Sequence, residues 1–348
     1  MAFRYPSIVA SVMTLGILGL PGQAFGQIGE LKHMSLEELT SQEVTSVSKK
    51  PEPYGRAPAA IQVITQDDIR RSGATTLPEA LRLADNLIVA QKNSHDWAIS
   101  ARGFDTDLAN KLLVLIDGRT VYTPLFSGVF WDRQDYLLED IERIEVISGP
   151  GGTLWGENAV NGVINIITRR AQDSQGVYAD AGLGGQVGLG GVRYGGMLTP
   201  TLPFRVYGKY ADHDNELVPD GRDASDSWRM GQGGFRIDAG PAPRDTLTLQ
   251  GDFYSARDHL STGGIDENSG SNVLGRWSRT LSADTGFSLQ LYYDRTHLLI
   301  PVPAQVLSGL TLAPAGTLTD DLDTYDVDFH HRFLAGDRHH LTWGLGYR

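Results

Sequence analysis

The sequence contains no cysteine, and basic residues are scarce relative to acidic ones. Its 348 residues include 30 Lys and Arg against 42 Asp and Glu, which gives a formal net charge of −12. The absence of cysteine excludes disulfide bonds, thiolate metal sites and cysteine nucleophiles. The acidic balance argues against nucleic acid as a partner, because proteins that bind nucleic acid present a basic surface.

Recognisable catalytic patterns are missing as well. We find no Ser/His/Asp arrangement and no paired carboxylates that would indicate an active site. A lone histidine such as His95 is more typical of a structural or surface residue than of a metal ligand. The sequence therefore predicts a protein that is not an enzyme and that needs no cofactor and no resident metal.

Long hydrophobic runs are absent except at the N terminus. Residues 8–20, IVASVMTLGILGL, follow Arg4 and are followed by a Pro-Gly pair and small residues. This run is shorter than the roughly 20 residues that a spanning helix needs. We therefore predict a secretory signal peptide over residues 1–26, with cleavage before Gln27, and an exported protein without a membrane helix.

The remaining chain divides into three stretches by composition. Residues 27–58 are polar and contain prolines that oppose a helix, which predicts a flexible segment. Residues 59–172 combine strand-like runs with two helix starts, marked by capping-box patterns at Thr65 and Thr76. We interpret this stretch as a compact α+β domain.

Residues 173–348 alternate between apolar and polar side chains in about nine short segments. In residues 246–254, Leu247, Leu249 and Phe253 share one face, and Thr248, Gln250 and Asp252 share the other. This pattern fits a half-buried sheet or a transmembrane barrel. Segment length, aromatic residues near segment ends and a charged inner face favour the barrel. Because an incomplete barrel would leave edges in lipid, we expect the chain to be a fragment of a longer protein.

The loop between two strand-like runs, GPGGTLWG at residues 149–156, raises the question of phosphate binding. It has no Lys followed by Ser or Thr, and the sequence predicts a strand rather than a helix after it. The glycines are therefore predicted to permit tight turns and close approach of two strands. These glycines are Gly149, Gly151, Gly152, Gly156 and Gly162.

The stretch IERIEVISGPGGTLWGENAVNGVINIIT, at residues 141–168, resembles the end of the plug domain of TonB-dependent outer-membrane receptors. Upstream, AISARGF and VLIDGRTVY resemble further elements of that domain, in the same order. The resemblance implies an α+β plug domain followed by a transmembrane antiparallel β-barrel of about 22 strands. This chain would hold about the first nine of them.

The resemblance also implies a function and partners. It suggests active uptake of a scarce solute across the outer membrane of a Gram-negative bacterium, driven by the periplasmic TonB protein. Outer-membrane lipid and a metal-chelate ligand such as a ferric siderophore would be further partners. An iron–siderophore complex is the first expectation, while cobalamin, haem, another metal complex or a glycan stay open. A passive porin-like channel and a soluble exported binding module are alternatives from other classes.

Three sets of residues are candidates for these roles. The TonB box, which would pair with TonB as an added strand, is predicted at Glu43, Val44, Thr45, Ser46 and Val47; the alternative is a disordered leader. Ligand contacts are predicted for His95, Trp97, Tyr122, Phe126, Phe130 and Trp131, which could instead pack the plug against the barrel. Contacts between plug and barrel are predicted for Arg102, Arg143 and Glu145, which could instead be solvated.

Overall fold

The computed structural model describes residues 43–47, 49, 52–57, 59–103, 106, 108–124, 126–282, 284–307, 310–336 and 338–348. The predicted signal peptide and the first part of the predicted flexible segment lie outside these residues. Within them, no helix is long and apolar enough to cross a membrane.

The N-terminal part of the described chain is a small domain built on one five-stranded sheet. The sheet has the order β3-β8-β9-β6-β7, in which only the β6–β9 pair is parallel. Two smaller sheets, β1–β2 and β4–β5, complete it. The strands are β1 Glu43–Val44, β2 Glu52–Pro53, β3 Ala60–Thr65, β4 Leu87–Gln91, β5 Trp97–Ala101, β6 Leu112–Ile116, β7 Arg119–Thr120, β8 Ile141–Ser148 and β9 Gly162–Thr168.

Two of the three α-helices within the described residues begin as their sequences predict. Helix α1 (Gln66–Ser72) starts at Thr65 and α2 (Leu77–Leu81) starts at Thr76, and both capping boxes form. Gly73 ends α1 with φ 72°, a left-handed conformation that favours glycine. These helices bury Ile69 and Leu81 against the sheet in the larger of the domain's two apolar clusters.

The third helix was not predicted. One helical turn, α3 (Gly152–Trp155), lies inside the glycine-rich loop, where the sequence indicated only turns between two strands. The backbone N–H of Gly156 donates to the carbonyl of Gly152 at 2.9 Å, which closes the turn. None of the four residues of α3 is buried.

The glycines around this turn have different roles. Gly149 and Gly156 have φ of 105° and 79°, values that strain any other residue. At Gly162, an added Cβ would lie 2.6 Å from the carbonyl oxygen of Ile147 on the paired strand. At Gly151, it would lie 2.9 Å from Cγ2 of Val163.

Gly152 differs from these four positions. A Cβ there would meet nothing closer than 3.9 Å, and its φ is not positive. The sequence predicted that this position requires glycine, but the structure shows no such requirement. Gly152 begins a helical turn that any small residue can adopt.

The C-terminal part is a nine-stranded antiparallel sheet with the order β10-β11-β12-β13-β14-β15-β16-β19-β20. The number of strands and their alternation confirm the prediction for this stretch. We call this sheet the wall. The wall strands are β10 Gly176–Leu183, β11 Val187–Thr199, β12 Leu202–His213, β13 Trp228–Ala242, β14 Asp245–His259, β15 Ile265–Thr280, β16 Gly286–Val302, β19 Gly316–Ala335 and β20 His339–Tyr347. A separate hairpin, which was not predicted, consists of β17 Gln305–Leu307 and β18 Leu310–Ala313.

The two faces of the wall differ as the alternation requires. Outward-facing apolar side chains such as Leu249, Phe253 and Tyr325 are exposed, whereas inward-facing polar ones such as Arg236 and Gln290 are buried. The two ends of the wall also differ. Short turns at 200–201, 243–244, 281–285 and 336–338 define the short-turn end, and the connections 214–227 and 303–315 define the long-loop end. In bacterial barrels the longer loops are extracellular.

We predict that Gly162→Ala destabilises the N-terminal domain by about 1–3 kcal/mol, because the added Cβ overlaps a backbone carbonyl that cannot easily move. Urea unfolding of the full-length protein in detergent, followed by tryptophan fluorescence, measures the change. Gly152→Ala is the matched control and should change stability by less than about 0.5 kcal/mol. Equal midpoints for the two variants would contradict the close approach at Gly162.

Candidate functional site

The N-terminal domain is held against the wall by buried charges. Two carboxylates on the domain accept from wall cations: Asp140 pairs with Nη1 of Arg193 at 2.5 Å, and Asp135 pairs with Nζ of Lys209 at 2.6 Å. Each of these four side chains is almost completely buried. Because a buried charge without a partner is very costly, these pairs fix the position of the domain.

The reverse arrangement occurs a few strands further along the wall. Arg119 of the domain donates to Asp294 of β16 at 2.5 Å, and Arg133 pairs with Asp258 of β14. The hydroxyl of Tyr136 donates to Asp252 at 2.7 Å. Burial raises the pKa of Tyr136 well above its usual value, and the neighbouring Asp252 raises it further, so the hydroxyl keeps its proton as a donor.

Asp117 joins the domain to two strands of the wall. Its carboxylate accepts from the backbone N–H of Thr168 at 2.9 Å and from Nε2 of Gln250 at 2.9 Å, and it lies 3.6 Å from Nη1 of Arg236. Burial alone would raise the pKa of Asp117, but the charge of Arg236 and these hydrogen bonds hold it below its usual value. Asp117 therefore stays ionised and ties the edge of the domain's sheet to β13 and β14.

The predicted plug–barrel residues do not make these contacts. Arg143 pairs with Glu142 and Glu145, both on its own strand, and Glu145 is completely buried. Arg102 is exposed beside Gly149. Arg143 lines a cavity that Ser278 and Phe287 of the wall also line, and the predicted plug–barrel role of Arg102, Arg143 and Glu145 stays a prediction.

Glu145 instead binds the predicted TonB box. Its carboxylate accepts from the backbone N–H of Thr45 at 3.0 Å and of Ser46 at 2.8 Å, and from the Ser46 hydroxyl. Nδ2 of Asn165 donates to the same hydroxyl at 2.9 Å, and Nε1 of Trp155 donates to the Ser46 carbonyl at 2.8 Å. These five hydrogen bonds dock residues 45–46 on the domain.

Apolar contact completes the docking. Val44 is completely buried in the smaller apolar cluster, with Ile61, Leu115, Ile147 and Val163. Strand β1 also pairs with β2 through Val44 and Glu52. Residues 43–47, which were predicted to be flexible, are therefore an ordered part of the domain surface. The sequence could not show this, because Glu145 is 99 residues away from Ser46.

Three of the predicted ligand-binding residues are buried and therefore not accessible to a ligand. His95, Trp97 and Trp131 are each less than a tenth exposed. The loop that carries His95 is tied to the wall: the Ser94 backbone N–H donates to Asp226, and Nε1 of Trp228 donates to the Ser94 carbonyl at 2.7 Å. Trp97 and Trp131 belong to the larger apolar cluster and therefore pack the core of the domain.

The other three lie around an open cavity. A cavity of about 420 Å³ lies between the domain and the wall, and Tyr122 and Phe130 line it. Phe126 packs edge-on against Phe130, with ring centroids 5.5 Å apart. Wall residues Tyr254 and Tyr292 line the opposite side. The cavity offers aromatic surface and hydroxyls, which suit a bulky ligand with both apolar and polar groups.

Comparison with known proteins identifies the domain. The family described as the TonB-dependent Receptor Plug Domain matches residues 55–163. The vitamin B12 transporter BtuB of Vibrio vulnificus is 31% identical over 143 residues, which are 40% of this chain and 23% of that protein. The iron-regulated outer membrane virulence protein of Vibrio cholerae is 29% identical over 228 residues, 62% of this chain and 33% of that protein.

Solved structures share the fold. A mutant of the ferric enterobactin receptor PfeA of Pseudomonas aeruginosa superimposes with a TM-score of 0.66 at 19% identity, over 83% of this chain and 48% of that one. The siderophore receptor PirA of Acinetobacter baumannii gives 0.66 at 15% identity, over 83% and 47%. The chain spans a third or less of these curated relatives and about half of these solved receptors. The family consists of receptors and transporters rather than enzymes.

We predict that Glu145→Ala releases residues 43–47 from the domain. Because the chain has no cysteine, Val44→Cys provides a single buried thiol whose maleimide labelling rate reports release. Loss of the hydrogen bonds to the carboxylate, each worth about 1.5–3 kcal/mol, should raise that rate by about ten-fold or more.

The matched control is Glu142→Ala, which also removes one carboxylate partner of Arg143 but touches none of residues 43–47. Labelling in this variant should stay at the starting rate. If Glu145→Ala labelled no faster than Glu142→Ala, the docking of the segment by Glu145 would be refuted.

Proposed function

We propose that this chain, whose plug domain and first wall strands are those of a TonB-dependent outer-membrane receptor, serves energy-coupled uptake of a metal–chelate complex. An iron–siderophore complex is the first candidate. The observation that carries the proposal is the docking of residues 43–47 on the plug by the carboxylate of Glu145.

The docked segment has the properties expected of a binding site for a periplasmic protein. Its backbone is extended at Glu43 and Val44, and its only strand partner is the two-residue strand β2 among the described residues. It lies toward the short-turn end, where Lys49 is 3.6 Å from Asp328 of β19. An extended segment of this kind can add to the edge of a partner's sheet through its main-chain groups.

Glu145 provides a route by which a pull would reach the plug. It stands in β8, between β3 and β9 in the plug sheet. Force on residues 43–47 would act first on the hydrogen bonds to Glu145 and then on this central strand. The plug would respond by local rearrangement at the short-turn end, because at the long-loop end it is tied to the wall by buried contacts such as the Arg133–Asp258 ion pair.

The cavity lined by Tyr122 and Phe130 is the proposed ligand-contact surface. Aromatic side chains supply large contact area for little loss of conformational freedom. His95, Trp97 and Trp131 are not part of this proposed surface, because they are buried.

The relatives support two substrate classes. The solved neighbours include ferric enterobactin and siderophore receptors, and one curated relative is iron-regulated. The match to a vitamin B12 transporter favours cobalamin as the second candidate. Both classes are bulky metal chelates that are scarce outside the cell. A passive pore would not accumulate them.

Uptake assays separate the two candidates. Cells that carry the full-length protein as their only receptor of this type should accumulate radiolabelled iron from at least one siderophore and should not accumulate labelled cobalamin. Accumulation of cobalamin alone would replace the first candidate with the second.

We predict that Val44→Pro abolishes this uptake while ligand binding to the cell surface persists, because proline removes the backbone donor that strand addition needs. Val44→Ala, which keeps the backbone donor, is the matched control and should retain most of the uptake. Full uptake by Val44→Pro would favour a passive channel.

A further inference from the structure

Three potential metal ligands from separate elements meet where the plug touches the wall near the long-loop end. They are His95 from the loop before β5, Asp132 from the 3-10 helix Trp131–Arg133, and Asp258 near the end of β14. One ligand atom from each lies within 4.8 Å of the others. Each side chain is at least nine-tenths buried.

The surroundings are more negative than their cation can balance. Arg133 contacts both Asp132 and Asp258. Asp96 lies 3.3 Å from Nδ1 of His95, and Asp266 is directly opposite Asp258 on the neighbouring strand. Asp132 and Asp258 are both buried and share the charge of Arg133, whereas Asp96 is partly exposed and also near Lys92. Buried charge that is not neutralised is expensive, so the cluster favours a further cation.

Oxygen atoms without partners point the same way. Within the described part of the chain, Oδ1 of Asp258, Oδ1 of Asp266 and Oδ1 of Asn268 are buried and accept no hydrogen bond. Arg133 uses Oδ2 of both Asp132 and Asp258, which leaves the other oxygen of each carboxylate for a ligand. A buried acceptor without a donor costs free energy, and a bound cation removes that cost.

We propose that His95, Asp132 and Asp258 bind one divalent transition-metal ion, for which Zn²⁺ is the probe. One imidazole and two carboxylates form a donor set that suits such ions better than Ca²⁺ or Mg²⁺, which prefer oxygen alone. Three protein ligands would leave a fourth position for water. Ligand atoms of a tetrahedral zinc ion lie roughly 3.4 Å apart, and the three atoms here lie within 4.8 Å of one another, so a small inward movement brings them to that spacing.

Asp96 is the positioning residue of this site. Because it faces Nδ1 of His95, it orients the ring and leaves Nε2 for the ion. A carboxylate in this place is the usual companion of a metal-binding histidine. The ion would join two plug segments to β14 and so add a metal link to the ion pairs that hold the plug in the wall.

Calorimetry and metal analysis of the full-length protein in detergent test the proposal. After chelator treatment and dialysis, titration with ZnCl₂ should give one tight site per chain. His95→Ala and Asp258→Asn should each weaken it by at least about 100-fold, and Asp96→Ala by about 10–100-fold. His297→Ala is the matched control, because His297 also lies beside a carboxylate, Asp321 at 3.0 Å, but is exposed.

Heat-modifiable migration of each variant shows whether its barrel is intact, and a variant that fails this check is replaced by Asp132→Asn. The absence of a stoichiometric zinc site in the parent would overturn the proposal. Equal affinity in the parent, His95→Ala and Asp258→Asn would also overturn it. The measurement needs no transport, so its failure is separate from that of the proposed function.

Discussion

Buried charge pairing between plug and wall is the constraint on which the arrangement depends. The inner face of the wall is polar, so whatever fills it must supply partners for Arg193, Lys209, Arg236 and Asp294. Removing one partner of a buried pair costs about 3–5 kcal/mol, because the other charge is left without compensation. Several such pairs act together here, and withdrawal of the intact plug would break all of them.

The N-terminal segment is held by weaker means. Residues 43–47 depend on one carboxylate, two further side-chain donors and the burial of Val44. These contacts lie on the side of the plug sheet that carries the smaller apolar cluster. A force applied to the chain terminus would therefore detach this segment long before it moved the ion-paired part of the plug. The plug is therefore attached strongly through its ion pairs with the wall, whereas residues 43–47 are attached weakly to the plug.

Local features were predictable from the sequence, whereas tertiary partners were not. The capping boxes at Thr65 and Thr76 and the alternation of the wall strands follow from side chains only a few positions apart. The role of Glu145 depends on a segment about 100 residues away, which no local pattern encodes. The alternation of side chains along the wall strands assigns Arg193 and Arg236 to the inner face. It does not identify Asp140 and Asp117 as their partners.

The proposed function requires that the full-length protein use its docked N-terminal segment to couple uptake to an energy source. The most direct measurement is accumulation of a radiolabelled ferric siderophore by cells with the full-length receptor, before and after the proton gradient is dissipated. Surface binding should persist, and accumulation should fall to the level of cells without the full-length protein. Accumulation that continued unchanged would contradict the proposed function.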